Sequence, residues 1–296
     1  MIPSSIANIT CISFVILYIA GFYLFEHSRN NGLKLSRQHP IVIKSRMKAV
    51  AISCVVITAL LHIVLSLYLD NVSLQGTVTL LGLKMNLLPS NLWRVIGQPF
   101  LLTMTLFLGP LTILYFDNQL PGQNGFDIGK DVIQVFWSLH GQRNYVFAPL
   151  TEEYVFRSCM IAILHQANYS YSYLIFVTPL YFGLAHLHHG WEVYHQLGRT
   201  RQALQTAIIS SVFQFGFTSL FGWYVSFLFL RTANLWVCVL CHSFCNIMGL
   251  PDISDIPHRP LRHRQVIWSS FIIGIVLFVC LLYPLSSVKD SLYWSL

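Results

Sequence analysis

Six polar side chains whose types and spacing could do chemistry lie in three otherwise apolar stretches of the chain. They occur in "APLTEEYVFRSC", "FGLAH" and "HSFCN" and are Glu152, Glu153, Arg157, His186, His242 and Asn246. A carboxylate and an imidazole can together activate a water molecule, because each can take up a proton. An imidazole and an amide can stabilise the oxyanion that forms when water attacks a carbonyl group. These residue types therefore favour hydrolysis by activated water.

Helical spacing assigns different roles to the two adjacent glutamates. Glu153 and Arg157 are four residues apart, so on a helix they share a face and can form an ion pair. Glu152 is turned by about 100° from Glu153 and faces another direction. His242 and Asn246 are also four residues apart, so on a helix they present an imidazole and an amide from the same side. We expect Glu152 to be the general base, with Glu153 and Arg157 shaping the site.

The same residues also have structural explanations, which the sequence leaves open. Glu153 and Arg157 could be an ion pair that only holds helices together, and His242 and Asn246 could form a hydrogen bond between helices. His188 and His189 follow His186 closely and could simply lie at a membrane interface. Cys238 and Cys241 resemble a redox or metal pair, but their apolar surroundings favour a packing role.

The elements that must position these residues are transmembrane helices. Of the 296 residues, 55% are hydrophobic and 10% are charged, whereas about 25% of the residues in an ordinary soluble protein are charged. Helices satisfy their own backbone hydrogen bonds, which is why long apolar runs predict membrane spans. The fold class predicted is all-α: a polytopic integral membrane helical bundle of about eight helices, forming a single domain over residues 1–296. The predicted spans are 7–25, 47–69, 99–116, 147–166, 171–187, 205–230, 233–249 and 265–286.

The distribution of basic residues predicts the orientation of this bundle. Twelve of the 18 Lys and Arg residues fall in the loops 26–46, 117–146, 188–204 and 250–264. Positive loops face the cytosol, so the chain would begin on the opposite side. The acidic, histidine and amide groups of the three polar spans then meet at one level, in a polar cavity open to the cytosol. Because the basic residues are scattered without a dense cluster, nucleic acid is not expected as a partner.

The possible glycosylation sites agree with this orientation. Three acceptor sequences, at Asn8, Asn71 and Asn168, all fall on the side predicted to face away from the cytosol.

Together, the three polar motifs resemble a known protein family. "EEYVFR" fits E-E-x-x-x-R, "FGLAH" fits F-x-x-x-H and "HSFCN" fits H-x-x-x-N, in that order. The region of about 145–250 is therefore similar to the type II CAAX prenyl endopeptidases. The resemblance implies that Glu152 and His186 activate water, that His242 and Asn246 hold the oxyanion, and that Glu153 and Arg157 support the site.

The resemblance also implies a substrate and a location. Such enzymes remove the last three residues from farnesylated or geranylgeranylated CAAX proteins such as small GTPases, in the endoplasmic reticulum membrane with the active site facing the cytosol. The lipid bilayer would be a further partner, because a prenyl chain partitions into hydrocarbon.

Two other functions are compatible with these residues. Glutamates and histidines can bind Zn²⁺, as in a membrane metalloprotease. We expect neither a metal ion nor another cofactor, because Arg157 would occupy one carboxylate and repel a cation. The second alternative is a non-catalytic binder or transporter of prenylated proteins that uses the polar cavity as a dock.

Overall fold

The computed structural model describes residues 1–25, 38–70, 72–84, 88–288 and 291–294. Within these ranges the chain forms helices and connecting turns and contains no strand, so the predicted all-helical fold class is confirmed. Two sequence-based predictions concern residues outside the described ranges. They are the acceptor sequence at Asn71 and most of the basic loop 26–46.

The main helices are named here in chain order. They are α1 (Ser4–Gly21), α2 (Pro40–Tyr68), α3 (Leu74–Leu80), α4 (Pro89–Leu106), α5 (Leu108–Phe116), α6 (Ala148–Glu153), α7 (Met160–Gln166), α8 (Thr178–Ala185), α9 (Leu187–Gln196), α10 (Arg201–Thr232), α11 (Leu235–Met248) and α12 (Leu261–Leu281). Wider π-helical turns interrupt or extend several of them, at Trp93–Gly97, Ile128–Gln134, Gln142–Phe147, Tyr154–Cys159 and Tyr173–Val177.

Four described helices, α1, α2, α10 and α12, are long and apolar enough to cross a membrane. Together α4 and α5 pass the same test and make a fifth if the bent pair is one span. The predicted count of eight is therefore not confirmed. The three polar segments account for the difference, because α6 to α8 are short helices joined to π-helical turns and α11 has only 14 residues.

Two of the predicted segments need correction. The segment expected at 99–116 begins at Pro89 and is bent by 69° between α4 and α5. Pro110 explains the position of the bend, because a proline ring collides with the carbonyl four residues earlier, here that of Leu106. The predicted cytosolic loop 188–204 contains a further helix, α9.

The described contacts divide the chain into two compact units, each built from two separated stretches. The first unit comprises Met1–Lys84 and Thr151–Leu235, and the second comprises Met85–Leu150 and Trp236–Leu296. The boundaries fall within α6 and at the start of α11. The single domain proposed from the sequence stays a prediction.

The core of the first unit is the helical stretch that carries the glutamates. All ten residues from Val155 to Leu164 are at most 1% exposed. A helix buried on every side must be surrounded by other helices. The Tyr18 hydroxyl on α1 is hydrogen-bonded to Thr151, Ser158 donates a hydrogen bond to the Leu81 carbonyl, and Phe156 packs against Phe182 of α8.

Close helix crossings hold the outer helices of this unit together. A side chain at Gly21 would collide with Ser53 of α2, whose hydroxyl donates to the Leu17 carbonyl at 3.0 Å. Gly190 of α9 likewise lies directly against Ser211 of α10. Small residues at both crossings allow the backbones to approach closely, which is the usual way that helices pack in membranes.

In the second unit, α4 and Phe107, the residue that follows it, pack on α11 through aromatic and sulfur contacts. Phe244 of α11 lies between Phe100 and Phe107, with ring centroids 5.3 Å from each. Thr103 donates a hydrogen bond to the sulfur of Cys241 at 3.1 Å. Cys238 and Cys241 are both buried free thiols, which agrees with the packing role expected for them.

Candidate active site

Glu153 and Arg157 form the ion pair that their spacing predicts. Arg157 Nε lies 3.2 Å from Glu153 Oε2, and both side chains are fully buried. The contact is electrostatic, because the Nε–H group does not have hydrogen-bond geometry toward this oxygen. A buried charge requires a partner, so each residue depends on the other for its place in the core.

Aromatic rings complete the surroundings of Arg157. Its guanidinium carbon lies 4.6 Å from the ring centre of Phe182 on α8 and 5.8 Å from that of Phe221 on α10. Both distances fall within the range of cation–π attraction, about 6 Å. Gly222 leaves room for this arrangement, since a β-carbon there would lie 3.1 Å from Arg157 Nη2 and 2.5 Å from Cβ of Pro179. One arginine therefore joins three helical segments.

Glu152 has different surroundings from its neighbour. Its side chain is partly exposed, whereas Glu153 is completely buried. The preceding residue, Thr151, is fixed to α1 by the hydrogen bond with Tyr18 at 3.1 Å. The 100° turn between consecutive helical residues thus directs the Glu153 carboxylate into the core and leaves the Glu152 side chain partly exposed.

His186 lies at the break between α8 and α9. Its Nδ1 is 2.8 Å from the carbonyl oxygen of Phe182. A carbonyl can only accept, so Nδ1 carries the proton and Nε2 is the acceptor nitrogen of the neutral ring. The ring also packs edge-on against that of Phe182, at 4.4 Å between centroids. These two contacts fix both the orientation and the tautomer of the imidazole.

The contact between Phe156 and Phe182 brings Glu152 and His186 to the same level. The two rings lie 5.0 Å apart, and the helical segments that carry them are joined by a short turn after Gln166, so they run antiparallel. Glu152 lies four residues before Phe156, and His186 lies four residues after Phe182. In antiparallel helices, four residues backward along one helix and four residues forward along the other lead in the same direction, by about 6 Å each.

Helix α1 supports the same placement independently. Tyr18 contacts Thr151, and Phe22, the residue directly after α1 and one turn beyond Tyr18, stacks on His188 at 5.6 Å. The beginning of the glutamate stretch and the beginning of α9 therefore lie about one helical turn apart beside α1.

A second group of charged side chains adjoins His186 on α9. Glu192 lies 3.3 Å from Arg46 of α2 and 3.6 Å from Nδ1 of His189, whose ring is 5.8 Å from that of His186. The nearby His189 imidazole, together with the Arg46 guanidinium, holds the pKa of the Glu192 carboxyl at about 2. Burial lowers the pKa of His188 to about 4, and its Nδ1 donates to the Ala185 carbonyl at 2.6 Å. His188 is therefore neutral at pH 7, and Glu192 is ionised.

His242 and Asn246 belong to the second unit. His242 is buried with 6% of its surface exposed, whereas Asn246, one turn further along α11, is exposed. The amide nitrogen of Asn246 donates a hydrogen bond to the Asn144 carbonyl at 3.0 Å, which fixes the orientation of the amide. The second hydrogen of the amide nitrogen can donate to another acceptor.

The described residues contain no group of three or more His, Cys, Asp or Glu side chains arranged to hold one metal ion. The three histidines after "FGLA" are close together, and His186 and His188 each direct Nδ1 at a backbone carbonyl, so Nε2 is the acceptor nitrogen of each ring. The arrangement suits acid–base chemistry and hydrogen bonding.

Arg46 and Glu192 were not among the candidates predicted from the sequence, since both lie in predicted loops. The signal that could have revealed Glu192 is its spacing, because His186, His189 and Glu192 follow one another at intervals of three residues. Residues at such intervals lie along one side of a helix.

Comparison with known proteins identifies close relatives of the chain. The family model described as "Type II CAAX prenyl endopeptidase Rce1-like" matches residues 134–248, which contain all six site residues. The protein named CAAX prenyl protease 2 of Homo sapiens is 35% identical over 97% of this chain and 82% of its own length. Probable CAAX prenyl protease 2 of Schizosaccharomyces pombe is 30% identical over 90% of this chain and 88% of its own. No solved structure matches the chain.

The buried ion pair leads to a prediction about stability. We expect Arg157→Met to lower the free energy of unfolding by about 3–5 kcal/mol, because Glu153 is left as a buried charge without this partner. The double variant Glu153→Leu/Arg157→Met should recover a large part of the loss, since it leaves no isolated charge. Thermal unfolding of the purified protein in detergent measures both effects, and equal stability of the single and double variants would contradict the prediction.

Proposed function

Because the chain belongs to the family of type II CAAX prenyl endopeptidases, we propose that Glu152 and His186 activate the water that cleaves a prenylated CAAX substrate. Membership rests on relatives that match over most of the chain. The observation that carries the proposed mechanism is the contact between Phe156 and Phe182, which brings Glu152 and His186 to one level in the first unit.

The first step follows from the chemistry of these two side chains. Glu152 takes a proton from water, and the water oxygen attacks the carbonyl carbon of the peptide bond after the prenylated cysteine. His186 accepts a hydrogen bond from the same water through Nε2, since its Nδ1 proton is directed at the Phe182 carbonyl. The proton then passes to the departing amine, and the C–N bond breaks to release the tripeptide.

His242 and Asn246 are proposed to stabilise the oxyanion. Their positions one turn apart on α11 allow an imidazole and an amide to donate from the same side of the helix. Asn246 is suited to this task because its hydrogen bond to Asn144 holds the amide in one orientation before substrate arrives. Donors that need no reorganisation stabilise a developing negative charge most effectively.

Glu153 and Arg157 are proposed to support the site without touching the substrate. Both are fully buried, and Arg157 also packs on Phe182, one turn before His186. The pair therefore determines how the glutamate stretch lies against α8.

The substrates proposed are farnesylated or geranylgeranylated CAAX proteins such as small GTPases. A prenyl chain gains about 0.8 kcal/mol for each CH₂ group buried in hydrocarbon, so it can carry the attached peptide to a site in the bilayer. We place the enzyme in the endoplasmic reticulum membrane, with a polar cavity open to the cytosol. The concentration of Lys and Arg in four loops on one side supports this orientation.

Replacement of the proposed base separates catalysis from binding. Membranes that contain the protein should release a tripeptide from a prenylated CAAX peptide, detected by mass spectrometry. Glu152→Gln should reduce the release at least about 1000-fold while the peptide still binds, because the amide cannot take up the proton. Asp252→Asn, which removes a carboxylate at an exposed turn, is the matched control and should be fully active.

The outcomes of this experiment are distinct. Cleavage by Glu152→Gln at the normal rate would overturn the assignment of the base. Binding of the peptide by the wild-type protein without any cleavage would favour the non-catalytic binder instead.

Removal of metal ions tests the metalloprotease alternative. We expect activity to survive exhaustive dialysis against a strong chelator, because Glu153 is paired with Arg157 and the part of the chain that the structure describes has no group of three or more His, Cys, Asp or Glu side chains arranged to hold one metal ion. Tripeptide release is measured before and after chelation, with a known zinc protease treated in parallel as the control. Loss of activity that returns on addition of Zn²⁺ would refute the metal-independent mechanism.

The proposed orientation can be tested with added glycosylation sites. An acceptor sequence appended after the last residue should receive a glycan, since the charge distribution places this end away from the cytosol. The same sequence inserted between Gly122 and Gln123 should remain unmodified. The reverse pattern, read from the mobility of the protein before and after deglycosylation, would show that the orientation is wrong.

A further inference from the structure

The orientation of His186 depends on how α9 leaves α8. His186 is the last residue before α9, and its backbone accepts a hydrogen bond from the His189 N–H at 3.0 Å. Its own N–H donates to the Gly183 carbonyl in the last turn of α8 at 3.1 Å. A rotation of α9 about this junction would therefore move the backbone from which the imidazole projects.

Three contacts fix the first turns of α9 in the first unit. His188 stacks on Phe22 at the end of α1, Gly190 lies against Ser211 of α10, and Glu192 forms an ion pair with Arg46 of α2. The first two are packing contacts. The third is a contact between charged groups, and it joins α9 to α2, which lies far earlier in the chain.

Glu192 also contacts His189, on the side of α9 nearest His186. Its two carboxylate oxygens are divided between Arg46 at 3.3 Å and His189 at 3.6 Å. His189 in turn lies 5.8 Å from His186 and 4.0 Å from His188, measured between ring centroids. Because the Glu192 carboxylate contacts both Arg46 of α2 and the His189 ring, it can fix the position of the His189 ring next to His186.

We propose that Glu192 is a positioning residue for the hydrolysis: held by Arg46, it fixes α9 and His189 so that His186 meets the attacking water in the right orientation. This inference rests on the proposed function of His186. The low pKa of Glu192, about 2, keeps its carboxyl ionised in the neutral range, as the ion pair with Arg46 requires. The side chains of Arg46 and Glu192 are 17% and 19% exposed, so solvent screens the pair only in part.

The test is a kinetic comparison of variants in the full-length protein. Glu192→Gln keeps the size of the side chain but removes its charge, and we expect kcat to fall about 10- to 100-fold, since small misplacements of a reacting group have effects of this size. KM and the thermal unfolding temperature should stay unchanged. The charge-reversed double variant Arg46→Glu/Glu192→Arg should regain a large part of kcat, whereas Arg46→Glu alone should resemble or exceed the loss in Glu192→Gln.

A matched control uses a comparable ion pair elsewhere. Asp117 lies 2.8 Å from Arg259, whose side chain is 14% exposed, and Asp117→Asn should leave kcat unchanged. Normal kcat in Glu192→Gln would overturn the positioning role, as would a rise in KM together with a loss of thermal stability.

The experiment also separates this proposal from the proposed function. If Glu152→Gln is inactive while Glu192→Gln has normal kcat, only the positioning role fails. If Glu152→Gln retains normal activity, the proposed water-activating pair fails, and the positioning role that depends on it fails as well.

Discussion

The ion pair between Glu153 and Arg157 is the constraint on which the first unit depends. Arg157 has no exposed surface, and a guanidinium cannot give up its proton to escape the cost of burial. Its surroundings must therefore supply the compensation, and they do so with one carboxylate and the rings of Phe182 and Phe221. Because these three groups come from three helical segments, the charge can be buried only when the segments pack in one arrangement.

This arrangement decides where the chemistry can occur. Phe182 contacts both Arg157 and Phe156, and His186 follows it by one turn. The π-helical turn Tyr154–Cys159 contains Arg157, so the irregular part of the helix coincides with the buried charge. Such turns are often found at functional sites, because they alter the directions of neighbouring side chains. The residue that stabilises the core thus also positions the proposed water-activating pair.

The parts of the molecule that the sequence predicts well are those governed by local spacing. The interval between Glu153 and Arg157 was sufficient to predict their pair, and the apolar runs located α1, α2, α10 and α12, although the predicted start of α2 lies seven residues too late. Helix α9 was missed because its polar composition resembles that of a loop, and its contacts with Phe22, α2 and α10 come from distant parts of the chain or from the next helix. The pairing of Arg46 with Glu192 joins residues 146 positions apart, a separation over which spacing carries no information.

The three glutamates described in the first unit differ in the cations that surround them. Glu153 meets Arg157 inside the core, and Glu192 meets Arg46 and His189 near its edge. A carboxylate held by a guanidinium is a poor general base, because taking up a proton removes the attraction that holds it. Glu152 differs from both in being the carboxylate proposed to act as the base, and its side chain is partly exposed. In the proposed mechanism, adjacent acids divide their work: Glu153 neutralises a buried charge, and Glu152 exchanges protons with water.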